Sequence, residues 1–209
     1  MAPVTRLLII ANFAVFGLQL VSRDALVTTF ALWPIGHFSF PELHATVGFK
    51  VWQLVTCGFL HGSLVHIGLN MYALWMFGSD VERALGAKHY LALYFAALLS
   101  ASCVQLAVVS LVPAGVYPTI GASGAVFGIL LAFGLLFPRR TLVLLFPPIP
   151  MPAILFVILY GIIELLHGLF GTEAGVAHFA HLGGMLGAYP VLRHWRNQVS
   201  RSDYAPIGS

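Results

Sequence analysis

Residues 117–140 read YPTIGASGAVFGILLAFGLLFPRR. A serine, Ser123, stands between glycines at the mouth of a run that stays apolar from Ala125 to Phe137. Such a run fits a buried helix, a lipid-facing helix or a seam of small residues where helices approach closely. GASGAVFG suits the seam, yet none of the three needs the hydroxyl. What surrounds the run decides. The 209-residue chain is 59% hydrophobic and only 8% charged, where an ordinary soluble domain carries about a quarter charged residues. Too few charges remain to coat a water-facing surface, so a polytopic membrane protein is expected. Cys57 and Cys103 lie in dissimilar surroundings and predict free thiols rather than a disulfide framework.

Six apolar segments stand out, at about 5–22, 63–82, 89–112, 122–137, 151–170 and 177–193, against the roughly 20 residues that a spanning helix needs. Pro113, Pro138, the PPIPMP cluster at 147–152 and the turn from Gly171 to Gly175 punctuate them. The first segment, after Arg6, resembles a signal peptide, but no small-x-small cleavage site follows it, so it reads as a retained span. Residues 23–62 are too mixed to span and too rich in Phe, Trp and Leu for a slack linker; a loop in the outer interface is expected. The fold class is therefore an all-α membrane protein, a bundle of six transmembrane helices with a short, recessed fourth helix. It forms a single membrane domain over 1–209, with its core at about 5–193 and a short tail at about 194–209.

In that arrangement Arg6, Arg83, Lys88, Arg139, Arg140, Arg193, Arg196 and Arg201 share one side, and only Arg23 and Lys50 take the other. The positive-inside rule then places both termini in the cytoplasm, with the 23–62, 113–121 and 171–176 loops outside. At 1.5 Å per residue, Ser123 sits about 24 Å above Arg139, His66 about 25 Å and Asn70 about 20 Å above Arg83, and His181 about 18 Å above Arg193. Four polar side chains from three helices thus converge on one depth in the outer half of a hydrocarbon core about 30 Å thick.

Polar groups at membrane depth are costly and face the protein interior. In HGSLVHIGLN, His66 and Asn70 are four residues apart and share a helix face, with His61 just outside the helix. Interhelical hydrogen bonding would account for them without chemistry. AHFAHLGGMLGAY offers His178 and His181, followed by Gly183, Gly184 and Gly187, which let this helix lie close to a neighbour. His178 is nearer the loop and reads as solvated; His181, a turn deeper, is the better chemical candidate. Glu164 and His167, one turn apart in ELLHGLF, are expected to pair locally. A serine nucleophile needs a base and donors aimed at the developing oxyanion. Ser123 and His181 supply nucleophile and base; His66, Asn70 and the backbone N–H of the recessed helix terminus supply donors. No aspartate lies nearby to complete a triad, so a dyad is the economical reading.

Together, GASG at 121–124, AHLGG at 180–184 and HGSLVHIGLNMYALWMFGSDVERALG at 61–86 resemble the rhomboid family of intramembrane serine proteases, over roughly residues 50–190. The resemblance implies a six-helix rhomboid-like core and a Ser–His dyad that cleaves membrane-anchored protein substrates near the outer membrane face. It makes Ser123 the nucleophile, His181 the general base, His66 and Asn70 the lining of the oxyanion hole, and Glu82 a structural acid. The family often has Trp-Arg where this chain reads Trp52-Gln53, and a tyrosine where it has Phe127. The expected surroundings are the lipid bilayer of a bacterial inner membrane, with no cofactor, no metal and no nucleic acid. Two rivals stand beside this reading. One is a metal transporter or metal-dependent membrane enzyme using His61, His66, His178 and His181, which lacks a carboxylate at that depth. The other is a catalytically inactive relative that binds membrane proteins.

Overall fold

In a computed structural model the description covers residues 1–41, 45–111, 116–143, 148–170 and 177–202, without the side chains of 199–202. The expected outer loop at 171–176 and the last residues of the tail lie outside the described residues, as do Pro113 and Pro147. Eight α-helices account for most of the rest: α1 (Pro3–Phe30), α2 (Gln53–Thr56), α3 (Leu64–Ala73), α4 (Ser79–Leu85), α5 (Ala87–Leu111), α6 (Ser123–Leu136), α7 (Ala153–Phe170) and α8 (His178–Ser202). Two small antiparallel hairpins, β1 (Phe38–Phe40) with β2 (Ala45–Val47) and β3 (Thr141–Val143) with β4 (Pro150–Pro152), complete it.

Helix α1 is turned inside out relative to a helix of a soluble bundle. On α1 the buried face is Thr5, Leu8, Asn12, Phe16 and Gln19, while Leu7, Phe13, Leu18 and Val21 are exposed. A helix in lipid gains nothing by hiding leucine and must satisfy its polar groups internally. Thr5, Asn12 and Gln19 recur every seven residues and form that inward stripe. The expected end of this segment at residue 22 marks a real break, since Ser22 leaves helical geometry at φ −138°, ψ 45°, but the helix resumes to Phe30.

Helices α1, α5 and α7 are individually long and apolar enough to cross a membrane. A fourth candidate is the pair Gln53–Phe59 and Leu64–Leu85, bent by 98°. The second part of this pair contains α3 and α4, joined through a π-helical turn at Leu74–Gly78. Helix α6 has 14 residues, about 21 Å of rise, and is too short to cross alone. Ten of those residues are buried, from Gly124 to Gly134, because α6 is the central post against which α5, α7 and α8 pack. Three apolar side chains at its lower half, Ile129, Leu130 and Phe133, join Leu74, Phe77 and Leu98 in the main core.

The 23–62 segment is more ordered than a loop. Val47 of its hairpin packs with Ala31, Trp33 and Leu60 in a second apolar cluster, against which Phe38 and Phe40 also lie. Gln53, at the place of the expected anchoring arginine, is 1% exposed. Its Oε1 accepts from the N–H groups of Trp33 and Lys50, and its Nε2 donates to the carbonyls of Thr29 and Gly48. An uncharged amide therefore anchors the segment through four backbone groups. At the other end of the bundle, Glu82 accepts from the N–H groups of Val4 and Thr5 at 2.9 and 2.7 Å and from the Thr5 hydroxyl at 2.7 Å. A buried carboxylate at the first turn of α1 satisfies orphan donors and complements the helix dipole. Asp80 pairs there with both Arg83 and Arg140, so the start of α1, the end of α4 and the chain after α6 share one end.

Candidate active site

The site is built at the opposite end, where α6 begins. Ser123 is the first residue of α6, after Ala122, so the backbone N–H groups around it have no intrahelical partner. Gly121 approaches this start with φ +127°, and a methyl group there would lie 2.7 Å from His66 Nε2. Only glycine accommodates both the backbone angle and the imidazole. Its N–H donates to the Cys57 carbonyl at 2.9 Å, which ties the approach to the end of the short helix before α3.

Helix α8 brings its histidines to this point by close contact. Gly184 lies directly on the Gly124 carbonyl, leaving no room for a side chain, while Gly183 and Gly187 face Val104 and Ala96 on α5. The glycine stripe expected to face the fourth helix therefore divides between two neighbours, and of its three glycines Gly184 is the one seated on α6. One turn above it, His181 Nε2 lies 2.9 Å from Ser123 Oγ. The Phe127 ring stacks on the His181 ring at 4.3 Å and 3°, so this aromatic supports the imidazole without a tyrosine hydroxyl.

Glu164 of α7 is the feature that spacing did not supply. Its carboxylate reaches beyond its own helix: Oε2 lies 2.8 Å from Nδ1 of both His178 and His181. His178, expected to be solvated, is 5% exposed, and its ring packs edge-on against that of His167, centroids 5.3 Å apart. A carboxylate does reach this depth, contrary to the expectation from sequence. The signal was an acid inside an apolar span, Glu164 in IIELLHGLF, which defaults to function.

The oxyanion candidates lie across the opening. The Gly62 N–H donates to His66 Nδ1 at 3.3 Å, which leaves the ring proton on Nε2, facing Gly121. Ser63 caps α3 by accepting from the His66 N–H at 3.1 Å. Asn70 Nδ2 donates one hydrogen to the His66 carbonyl at 3.0 Å, and the second remains available. Both side chains line a cavity of about 640 Å³ together with Ser123, Phe127, Tyr160 and His181. His61 is fully buried with its ring edge-on to that of His66, centroids 5.0 Å apart, and Gln19 of α1 clamps its backbone through both N–H and C=O. The four histidines of the metal reading therefore fall into two pairs. Among the described residues, the group whose ligand atoms come together is Glu164, His178 and His181, within 4.8 Å.

The Rhomboid domain matches residues 48–194, most of the chain. The chain belongs to the rhomboid family. RHOMBOID-like protein 12, mitochondrial, of Arabidopsis thaliana is 33% identical over 193 residues, covering 85% of this chain and 54% of the plant protein. Rhomboid protein 1, mitochondrial, of Saccharomyces cerevisiae is 35% identical over 99 residues, 47% of this chain and 29% of the yeast protein. Rhomboid protease GluP of Bacillus subtilis (strain 168) is 38% identical over 79 residues, 38% of this chain and 14% of that protease. The chain thus spans about half or less of the length of these relatives. As a rhomboid it is an integral membrane protein of an intramembrane protease family. The mitochondrial relatives leave the expected bacterial inner membrane without support.

Proposed function

We propose that this rhomboid is a serine endopeptidase that cleaves single-span membrane proteins near the outer membrane face, with both of its own termini in the cytoplasm. The observation that carries the reading is the 2.9 Å contact between Ser123 Oγ and His181 Nε2 at the mouth of a recessed helix. As a substrate carbonyl enters the cavity, His181 Nε2 takes the Ser123 proton while Oγ bonds to the carbonyl carbon. The carbonyl electron pair moves to oxygen, where His66 Nε2–H, the Asn70 amide and the N–H groups at the start of α6 can donate to it. Collapse breaks the C–N bond, and His181 returns its proton to the leaving amine. Water, deprotonated by His181, then releases the acyl group from Ser123. A helical substrate hides its scissile carbonyl in an i→i+4 bond, so the substrate segment must unwind locally, which small or helix-breaking residues favour.

A metal-dependent reading has one observation behind it, the Glu164–His178–His181 grouping, but it leaves the Ser123 contact without a use. An inactive binding protein leaves the same contact unused. Reconstitution in liposomes with a panel of single-span substrates tests the proposal. Wild type should cut members with small residues near the outer end of the span, without added metal, and Ser123→Ala should cut none. Cleavage that survives Ser123→Ala would sink the serine mechanism, and cleavage abolished by chelation and restored by metal would favour the metal reading.

A further inference from the structure

We infer that Glu164 is a positioning residue for His181, so that the proposed site works as a Ser–His–Glu triad rather than a bare dyad; this rests on the proteolytic reading above. The geometry fixes the proton positions. A carboxylate oxygen can only accept, and Glu164 Oε2 sits 2.8 Å from two imidazole Nδ1 atoms. Both Nδ1 atoms therefore carry hydrogen. For a neutral His181 this leaves Nε2 as a bare lone pair, and Nε2 is the atom 2.9 Å from Ser123 Oγ. Glu164 thus selects the tautomer that can act as base. Once the Ser123 proton has moved to Nε2, the same carboxylate faces a cation, and its hydrogen bond, already charge-assisted, gains the attraction between opposite charges. The proton stays on Nδ1 throughout, and Glu164 neither gains nor loses one.

The carboxylate is itself held. Glu164 is 7% exposed on α7, and His178, one turn before His181 on α8, donates to the same oxygen. Two donors from one helix pin one acceptor on another, so α7 and α8 are joined at the level of the serine. Phe127 stacked on the His181 ring supplies the remaining constraint. His178 thus acts on Glu164, not on Ser123.

Glu164→Gln isolates the charge, because the amide oxygen can occupy the Oε2 position and still accept from both histidines. The full chain in liposomes, with a fluorophore-labelled single-span polypeptide as substrate, should show kcat reduced about 10- to 100-fold. KM should stay within about twofold and the melting temperature in detergent should be unchanged, since the charge matters most once His181 is protonated. Glu164→Gln turning over like wild type would overturn the proposal, as would a loss of kcat fully accounted for by a smaller folded fraction. In either case Ser123→Ala remains inactive, and the dyad survives without Glu164. Cleavage by Ser123→Ala would instead remove the proteolytic reading on which the inference stands.

Discussion

Among the described residues, the hydroxyl of Ser123 has one imidazole within hydrogen-bond reach, and that imidazole is His181. A base must be within about 3 Å of the proton it takes, and His178 has its Nδ1 on Glu164 instead. His181→Ala is therefore expected to be inactive in the liposome assay, while His178→Ala, which loosens only the carboxylate, is merely impaired; the reverse order would assign the base to the wrong turn. Across the cavity, His66→Ala and Asn70→Ala should each lower kcat by about 10²–10³ with little change in KM, less if the remaining donor compensates. Thermal melting and kcat measured on the same preparations separate this from lost helix packing, which would lower the melting temperature and leave turnover per folded molecule unchanged. Ser123, His181, His66 and Asn70 are legible in the sequence because each sits at a computable depth on a helix whose inner end carries charge. Glu164 is visible as an anomaly, but its partners are not: His167 is near in sequence, whereas His178 and His181 reach it only through the packing of α7 on α8.

At the level of helices, the site depends on how closely α8 approaches α6. Gly184 rests on the Gly124 carbonyl with no space for a methyl group, and a backbone oxygen within a helix cannot move aside like a flexible side chain. Gly184→Ala should force the helices apart, cost about 1–3 kcal/mol of stability and carry His181 away from Ser123. Activity per folded molecule should then fall at least tenfold, and an active, equally stable Gly184→Ala variant would show that the helices tolerate the separation. The six apolar segments correspond to helices here, with ends within a few residues for the middle ones. The exceptions are instructive. Helix α1 runs past Ser22, and α8 continues through Pro190 to Ser202, because hydropathy marks where lipid would end and not where backbone hydrogen bonding does. The hairpin of the 23–62 segment escapes a search for spans because it is held by Gln53 and a small apolar cluster.

Across the whole molecule, the two ends of the bundle have different tasks. One end is tied by Glu82 to the start of α1 and by Asp80 to Arg83 and Arg140, and it gathers the basic residues that set the proposed orientation. The other end holds a cavity in which serine, histidines and an amide meet at the recessed mouth of α6. Composition points to a membrane protein and three stretches of sequence to a family, which the domain match over 48–194 shows; the joining of α6, α7 and α8 around one hydroxyl is a property of the folded chain. The proposed activation of Ser123 by His181 has a direct chemical test. Wild-type protein in detergent, treated with a fluorophosphonate and mapped by mass spectrometry, should carry one adduct, on Ser123. That adduct should be absent from Ser123→Ala and nearly absent from His181→Ala. An adduct on another residue, or equal labelling of Ser123→Ala, would contradict the account.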